Sequence, residues 1–332
     1  MKIGVIAFSG FGETAGALLR DRLTAGGHAV TLTRCPAHGL AAWTNEHFSS
    51  DDALIFLSAA GIAVRAIAPL VHSKTTDPAV LVLDDHAHFV IPLLSGHIGG
   101  ANALAEYVAE LTGATPVVTT ATDVSGVFAV DTWAKSQGLL IENPERIKDV
   151  SSRLLDGDPV GLASDLPIGG AFPRGVVSGG EPLLIRIGYH ASDAPEALHL
   201  IAPALTLGIG CRHATEFADI ESAYSQLLAH THVHPLSIRQ VCSIDLKAGE
   251  PGLLQFCANH GLPFVTYPAD VLNTVTASVS SSAFVRKITG TDNVCERSAL
   301  CGAGADARLL VAKTIYSGVT VALAAAPYPI RF

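Results

Sequence analysis

The chain has 332 residues, with 21 Lys and Arg against 30 Asp and Glu, and 49% of it is hydrophobic. That length holds two or three domains with sizeable cores. A net charge of −9 with no basic run argues against nucleic acid or an anionic membrane as partner, because phosphate binding needs clustered Lys and Arg.

The N-terminus reaches Ser9-Gly10 before it can build the apolar centre of a signal peptide. The most membrane-like window, Ala53 to Val71, carries Arg65 and Pro69 and reads better as a strand, a turn and a short helix. The six cysteines form no CxxC pair, so no structural metal site is expected and the thiols are taken as reduced. A cytoplasmic protein is the expectation.

In chain order, Lys2 to Phe8 is a strand, and Ala15, Leu18, Leu19 and Leu23 mark the apolar face of a helix stopped by Gly26-Gly27. The turn between them, Gly10-x-Gly12-x-x-Ala15, matches a dinucleotide fingerprint. The next strand, His28 to Thr33, ends in Arg34 rather than an acid. An NADP-binding reductase therefore stands as one alternative, and a plain turn in a doubly wound sheet as another.

Ala53 to Ser58 is a buried strand running into Gly61, with Arg65 in the following helix as a carboxylate clamp or a solvated charge. Val80 to Leu83 and Phe89 to Ile91 are two strands joined by the polar turn Asp84-Asp85-His86-Ala87-His88. Next comes Leu93-Leu-Ser-Gly-His-Ile-Gly-Gly-Ala-Asn102, then a helix stopped by Gly113, then a strand from Pro116 ending in Thr119-Thr120-Ala121-Thr122-Asp123. Gly96, Gly99 and Gly100 let the backbone turn tightly and let a ligand approach the main chain, while the first free N–H groups of the helix favour an anion. His97 is the titratable group of that loop. A tight strand-to-helix turn alone would also account for the glycines, and a solvated loop side chain for His97.

A composition shift near Gly138 opens a smaller segment with a helix from Asn143-Pro144-Glu145 to Gly157 and strands at Pro159 to Ala163, Leu183 to Ile187 and Leu198 to Ile201. Its Gly/Pro-rich loop, Pro167 to Gly180, shows no chemistry. The strand–helix pattern restarts at Leu205, with strands at Val241 to Ile244 and Pro263 to Thr266, a helix from Asn293 to Ala303, and a closing pair at Leu309 to Lys313 and Val319 to Ala324. The fold class is α/β: an open, mostly parallel N-terminal domain (1–138), a small α+β middle domain (139–203) and a second α/β domain (204–332).

The loop at 93–102 with Pro116 to Asp123, preceded by Gly61-Ile-Ala-Val-Arg-Ala-Ile-Ala-Pro-Leu70 and Asp77-Pro-Ala-Val80, resembles the cobalt-precorrin 5A hydrolase family of anaerobic cobalamin biosynthesis. Leu207-Gly-Ile-Gly-Cys-Arg212, Ile244-Asp-Leu-Lys247 with Glu250, Ser278, Gly290, Val294-Cys-Glu296 and Thr320-Val-Ala322 match its C-terminal part in order. This chain departs from the family pattern at His213-Ala214, where a further Arg-Gly is usual, and in the looser serine run at 278–282. The resemblance implies a cobalt-corrinoid substrate with acetate and propionate arms. It also implies opening of the δ-lactone by water, and release of acetaldehyde to give cobalt-precorrin 5B. A non-enzymatic tetrapyrrole carrier is the alternative, and neighbouring methyltransferases of the pathway are candidate partners. No cofactor is expected, because the substrate carries the cobalt.

Such a reaction needs a proton acceptor near the working pH and donors for the oxygen that gains charge. His97 is assigned the first role, with Asp84 or Asp123 orienting it, and the N–H groups of Gly99 and Gly100 the second. The loop residues Ser95, Gly96 and Asn102, together with Gly61, Thr119 and Thr120, are assigned to substrate. Arg65, Lys74, Arg212, Lys247 and Lys313 are candidate partners of its carboxylates, and Cys211 is a further contact or a nucleophile activated by the following helix.

Overall fold

In the computed structural model, residues 1–35, 39–73, 76–97, 99–120, 125–191, 194–277 and 279–332 are described. The chain divides into two compact units, Met1–Trp133 and Ala134–Phe332.

The first unit is built on β1 (Lys2–Ala7), α1 (Gly10–Ala25), β2 (Ala29–Arg34), α2 (Leu40–Ser50), β3 (Ala53–Leu57), α3 (Ala60–Ile67), β4 (Ala79–Leu83), β5 (Phe89–Leu94), α4 (Ala101–Thr112) and β6 (Thr115–Pro116). The strand order is β2-β1-β3-β4-β5-β6. β1, β3 and β4 are apolar on both faces, as a strand covered by helices on each side must be. Alternation along each strand sends Ile3, Val5, Ile55, Leu57, Leu81 and Leu83 into one core with Leu19 and Leu23 of α1 and Leu104 and Val108 of α4. Ile6, Leu54, Phe56, Val80 and Val82 enter a second core with Trp43 of α2 and Ile67 of α3.

Direction matters more than order here. β2, β1, β3 and β4 are mutually parallel, but β5 runs antiparallel to β4, with Val80 opposite Leu94 and Leu83 opposite Val90. β6 is parallel to β5. The 84–88 turn thus reverses the chain, and whatever follows β5 or β6 lies at the rim of the sheet opposite to the carboxyl ends of β1, β3 and β4.

Helix α5 (Val130–Ser136) leads into the second unit. That unit contains β7 (Leu140–Ile141), α6 (Ile147–Leu155), β8 (Val160–Ser164), β9 (Ile168–Gly169), β10 (Val176–Ser178), β11 (Leu183–Gly188) and β12 (Leu198–Ile201). These form a sheet of order β10-β8-β11-β12-β7, while β9 pairs with a C-terminal strand. The Gly/Pro-rich stretch 167–180 therefore holds two short strands.

The chain continues through β13 (Leu205–Gly210), α7 (Phe217–Thr231), β14 (Ile238–Ile244), α8 (Pro251–His260), β15 (Phe264–Tyr267), α9 (Ala269–Leu272), α10 (Ala283–Thr289), α11 (Cys295–Ala303), β16 (Arg308–Tyr316), β17 (Val319–Ala325) and β18 (Ile330–Arg331). Its sheet has the order β15-β14-β13-β17-β16, parallel through β13, β14 and β15 and antiparallel at β17 and β16. Helix α11 lies directly on β13: a Cβ added at Gly208 would stand 1.9 Å from the Cys295 carbonyl oxygen, so only glycine admits this approach.

Candidate functional site

The loop after β5 is shaped by contacts that exclude side chains. A Cβ on Gly99 would meet Ser95 Cβ at 2.3 Å, and Gly100 has φ +83, a left-handed conformation natural to glycine. Ser95, a non-glycine, also sits at φ +58. Its buried hydroxyl donates to the Asp77 carbonyl oxygen at 2.9 Å, so Ser95 anchors the loop. Asn102 Nδ2 donates to Thr120 Oγ1 at 3.0 Å, joining the loop to the segment after β6.

The antiparallel β5 separates the proposed first-unit residues into two groups. Ser95, Gly96, His97, Gly99, Gly100, Asn102, Thr119 and Thr120 gather at one rim. Gly61, Arg65 and Asp84 belong to the other, roughly 15 Å away at the usual rise per strand residue. Arg65 is exposed and its guanidinium folds back to the Gly61 carbonyl at 3.4 Å. Asp84 serves its own turn, accepting from the N–H groups of His86 at 3.0 Å and Phe89 at 2.7 Å. Burial pushes the Asp84 carboxyl up, but these amides outweigh it and the net shift is downward. Asp84 therefore does not orient His97. Asp123, Lys74 and Ser278 lie outside the described residues.

Among the described residues, a carboxylate found on His97 is Asp131, in the first turn of α5, with Nδ1 to Oδ2 at 3.4 Å. Both side chains are largely buried. Burial opposes ionisation of Asp131, yet the hydrogen bond and charge of His97 overcome it and hold the carboxyl below its ordinary value. Of the two proposed oxyanion donors, Gly100 needs correction too. Gly100 N–H donates to the His97 carbonyl at 2.9 Å, Ala101 N–H to Ser95 at 3.0 Å and Asn102 N–H to Gly96 at 3.0 Å. The loop's own carbonyls consume these three amides.

The dinucleotide alternative finds no support at the other rim. Ser9 Oγ accepts from Gly12 N–H at 3.0 Å, and Arg34 is paired with Glu13 at 2.6 Å. A buried Asp85 oxygen without a hydrogen-bond partner lies 2.9 Å from where a Gly12 Cβ would be. A carboxylate already stands at the helix end that would have to receive a pyrophosphate.

In the second unit, Cys211, Arg212, Lys247 and Lys313 converge on one cavity of ≈ 620 Å³. It opens beyond the carboxyl ends of the parallel strands β13 and β14, the expected ligand position in such a sheet. Its walls are apolar, from Ile244, Val285, Val294 and Cys295, and Leu246, Phe284 and Ile288 expose 65%, 74% and 61% of their surface beside it. No carboxylate is among its described lining residues. Lys247 is held by the buried Glu250 at 2.9 Å, and Glu250 also accepts from Ala214 N–H at 2.5 Å. Burial works against the Glu250 charge, but Lys247 and these donors keep its carboxyl below the ordinary range. Arg212 and Lys313 have no acidic partner among the described residues.

Next to the lining residues Val294 and Cys295 stands Glu296, which sequence reasoning left without a role. Buried at the start of α11, it accepts from Ser280 N–H at 2.7 Å, Asn293 Nδ2 at 2.6 Å and Lys313 N–H at 2.7 Å. The spacing Asn293-x-x-Glu296 was the available signal, since such pairs satisfy each other's helix-end groups. Burial pushes the Cys211 thiol up, and nearby Lys247 only partly opposes this.

Among the described residues, no group of three or more His, Cys, Asp or Glu side chains is placed to hold a metal ion, and no helix is long and apolar enough to cross a membrane. Family models of the cobalamin synthesis G N-terminal region, the cobalamin biosynthesis central region and the cobalamin synthesis G C-terminus match residues 42–123, 128–173 and 205–324. A cobalt-precorrin-5A hydrolase from Salmonella typhimurium is 36% identical over 272 residues, 77% of each chain. Another from Priestia megaterium is 32% identical over 302 residues, 85% of this chain and 80% of the relative. A crystal structure of a cobalamin biosynthesis protein G homolog from Sulfolobus solfataricus aligns over 98% of this chain and 97% of its own, at 21% identity and a TM-score of 0.42. This chain belongs to the cobalt-precorrin-5A hydrolase family, the cobalamin synthesis G proteins.

Proposed function

We propose that the protein opens the δ-lactone of cobalt-precorrin 5A with water and releases acetaldehyde, giving cobalt-precorrin 5B in anaerobic cobalamin biosynthesis. Homologues bearing that activity's name at 36% and 32% identity support it. The observation that carries the reading in this chain is the second-unit cavity. Apolar walls suit the face of a macrocycle, and Arg212 and Lys313, without an acidic partner among the described residues, suit its carboxylate arms. An acidic protein has to gather its cations locally to bind such a ligand, and it does so here without a carboxylate on the described lining.

His97 retains the role of proton acceptor for the attacking water, on first-unit geometry alone. Hydroxide adds to the lactone carbonyl as the proton leaves, and the ring C–O bond then breaks with that proton returned to the departing oxygen. The freed hydroxyl becomes the aldehyde oxygen when its carbon leaves the macrocycle as acetaldehyde, and the ring carbon takes a proton in its place. Nothing in this balance calls for a resident cofactor, and the cobalt enters with the substrate. We further assign the protein to the cytoplasm, with methyltransferases of the same pathway as its neighbours.

The test is acetaldehyde release from cobalt-precorrin 5A under anaerobic conditions, followed by mass spectrometry. Arg212→Gln and Lys313→Gln each raise KM roughly tenfold, about 1.4 kcal/mol, with kcat little changed. Absence of acetaldehyde from the intact chain refutes the assignment.

A further inference from the structure

Three exposed large apolar side chains, Leu246, Phe284 and Ile288, meet at one place, the second-unit cavity. Leu246 comes from the turn after β14, and the other two from α10. Apolar side chains left singly in water need no explanation, but a cluster of them on a cavity marks a binding surface. Phe284 and Ile288 stand four residues apart and so share one face of their helix.

Helix α10 is held in a way that leaves both side chains largely in water. None of its seven residues is buried. Val285 packs against the small core of Ile244, Leu272 and Val294. The ends are tied by the Ser282 N–H to the Asp292 carbonyl at 3.0 Å and by Asn273 Nδ2 to the Gly290 carbonyl at 3.0 Å. A helix of this length is marginal alone, so these contacts fix its place at the cavity.

We propose that Phe284 and Ile288 form the platform for the apolar face of the macrocycle, while Arg212 and Lys313 hold its carboxylate arms. The proposal rests on the reading of the cavity as the substrate site. The lining selects such a ligand because its two kinds of side chain act together. A small polycarboxylate has no use for the apolar walls. An apolar protein segment or a lipid chain has no use for Arg212, Lys247 and Lys313, with no carboxylate among the described lining residues. A large ring with acid arms satisfies both. Phe284 and Ile288 are unfavourably placed in water, and covering them with ring carbon recovers that free energy on binding.

The experiment compares the full chain with Phe284→Ser, Ile288→Ser and the double variant, reading KM and kcat of anaerobic acetaldehyde release and the quenching of uroporphyrin fluorescence. The double variant is expected to raise KM and the uroporphyrin Kd at least tenfold, with kcat within threefold. KM decides where the two disagree. That loss should be equal at low and high salt, whereas the loss in Arg212→Gln shrinks as salt screens the charge. Both side chains are exposed, so the melting temperature should stay with the parent's. Leu254→Ser, at an exposed apolar position of α8 away from the cavity lining, leaves every readout unchanged. An unchanged KM in the double variant, beside a raised KM in Arg212→Gln, overturns the platform and spares the cavity. A double variant that keeps its KM but sediments as a monomer where the parent is a dimer gives the face to a second copy, which also overturns it. Absence of acetaldehyde from the intact chain instead removes the reading beneath it.

Discussion

Gly208→Ala tests whether the cavity wall is a rigid contact of helix on sheet. The new methyl would lie 1.9 Å from the Cys295 carbonyl oxygen and 2.9 Å from Ala299 Cβ. Both obstacles belong to α11 and the nearer is backbone, so no side chain can simply swing aside. Overpacking of this kind costs roughly 1–3 kcal/mol, and a backbone clash on two elements places it near the top, about 3 kcal/mol. For a unit of this size each kcal/mol lowers Tm by about 2–4 °C, which predicts a loss of about 6–12 °C. Gly249→Ala is the matched control, because a Cβ there meets nothing within 4 Å; it should stay within about 0.5 kcal/mol of the parent. Calorimetry measures both. The displaced helix also carries Val294 and Cys295 away from the cavity, so KM should rise in Gly208→Ala. A variant that melts within 2 °C of the parent, on the order of 1 kcal/mol or less, would refute the close packing of α11 on β13.

Glu250→Gln keeps an acceptor for Ala214 N–H but removes the counter-charge of Lys247. It should cost roughly 1–3 kcal/mol of stability and tighten binding of uroporphyrin, a macrocycle with carboxylate arms, at low salt but not at high salt, as fluorescence quenching would report; weaker binding would show that Glu250 does not restrain that charge. Asp51, Asp131 and Glu250 are all held below their ordinary values in the fold. Their contribution is therefore complete above the unfolded carboxylate range near 4 and is lost as pH falls through the folded values. Melting temperature should drop below about pH 4, less steeply in Glu250→Gln, and an unchanged slope would count against the shift. Cys211, raised by burial, should alkylate with iodoacetamide no faster at neutral pH than a free thiol, with the rate climbing as the solution is made alkaline; rapid labelling at pH 7 would restore the nucleophile.

The strands were legible as apolar runs because buried parallel strands have two apolar faces: Val80–Leu83 and Leu205–Ile209 needed nothing more. The 84–88 turn was legible as well, from its acids and histidines. Its consequence was not, because residue types do not encode which end of a sheet a loop will occupy, and Gly61, Arg65 and Asp84 were grouped with His97 for that reason. Asp131 is separated from His97 by a helix and a strand, so only folding brings the two together. The cavity cations come from the loop after β13, the turn after β14 and strand β16, and each was visible as a charge near a glycine or a strand end. What joins them is strand order, and what isolates Lys247 from its neighbours is a glutamate whose burial no local pattern reveals.

The reversed strand β5 gives the first unit two working edges where a wholly parallel sheet would offer one. Loops 9–12, 59–61 and 84–88 can change length or charge while a full strand's span insulates them from the histidine. A fluorophore placed at the exposed position 11 would therefore report on its own edge without disturbing the histidine at the other, and the two edges are free to diversify independently.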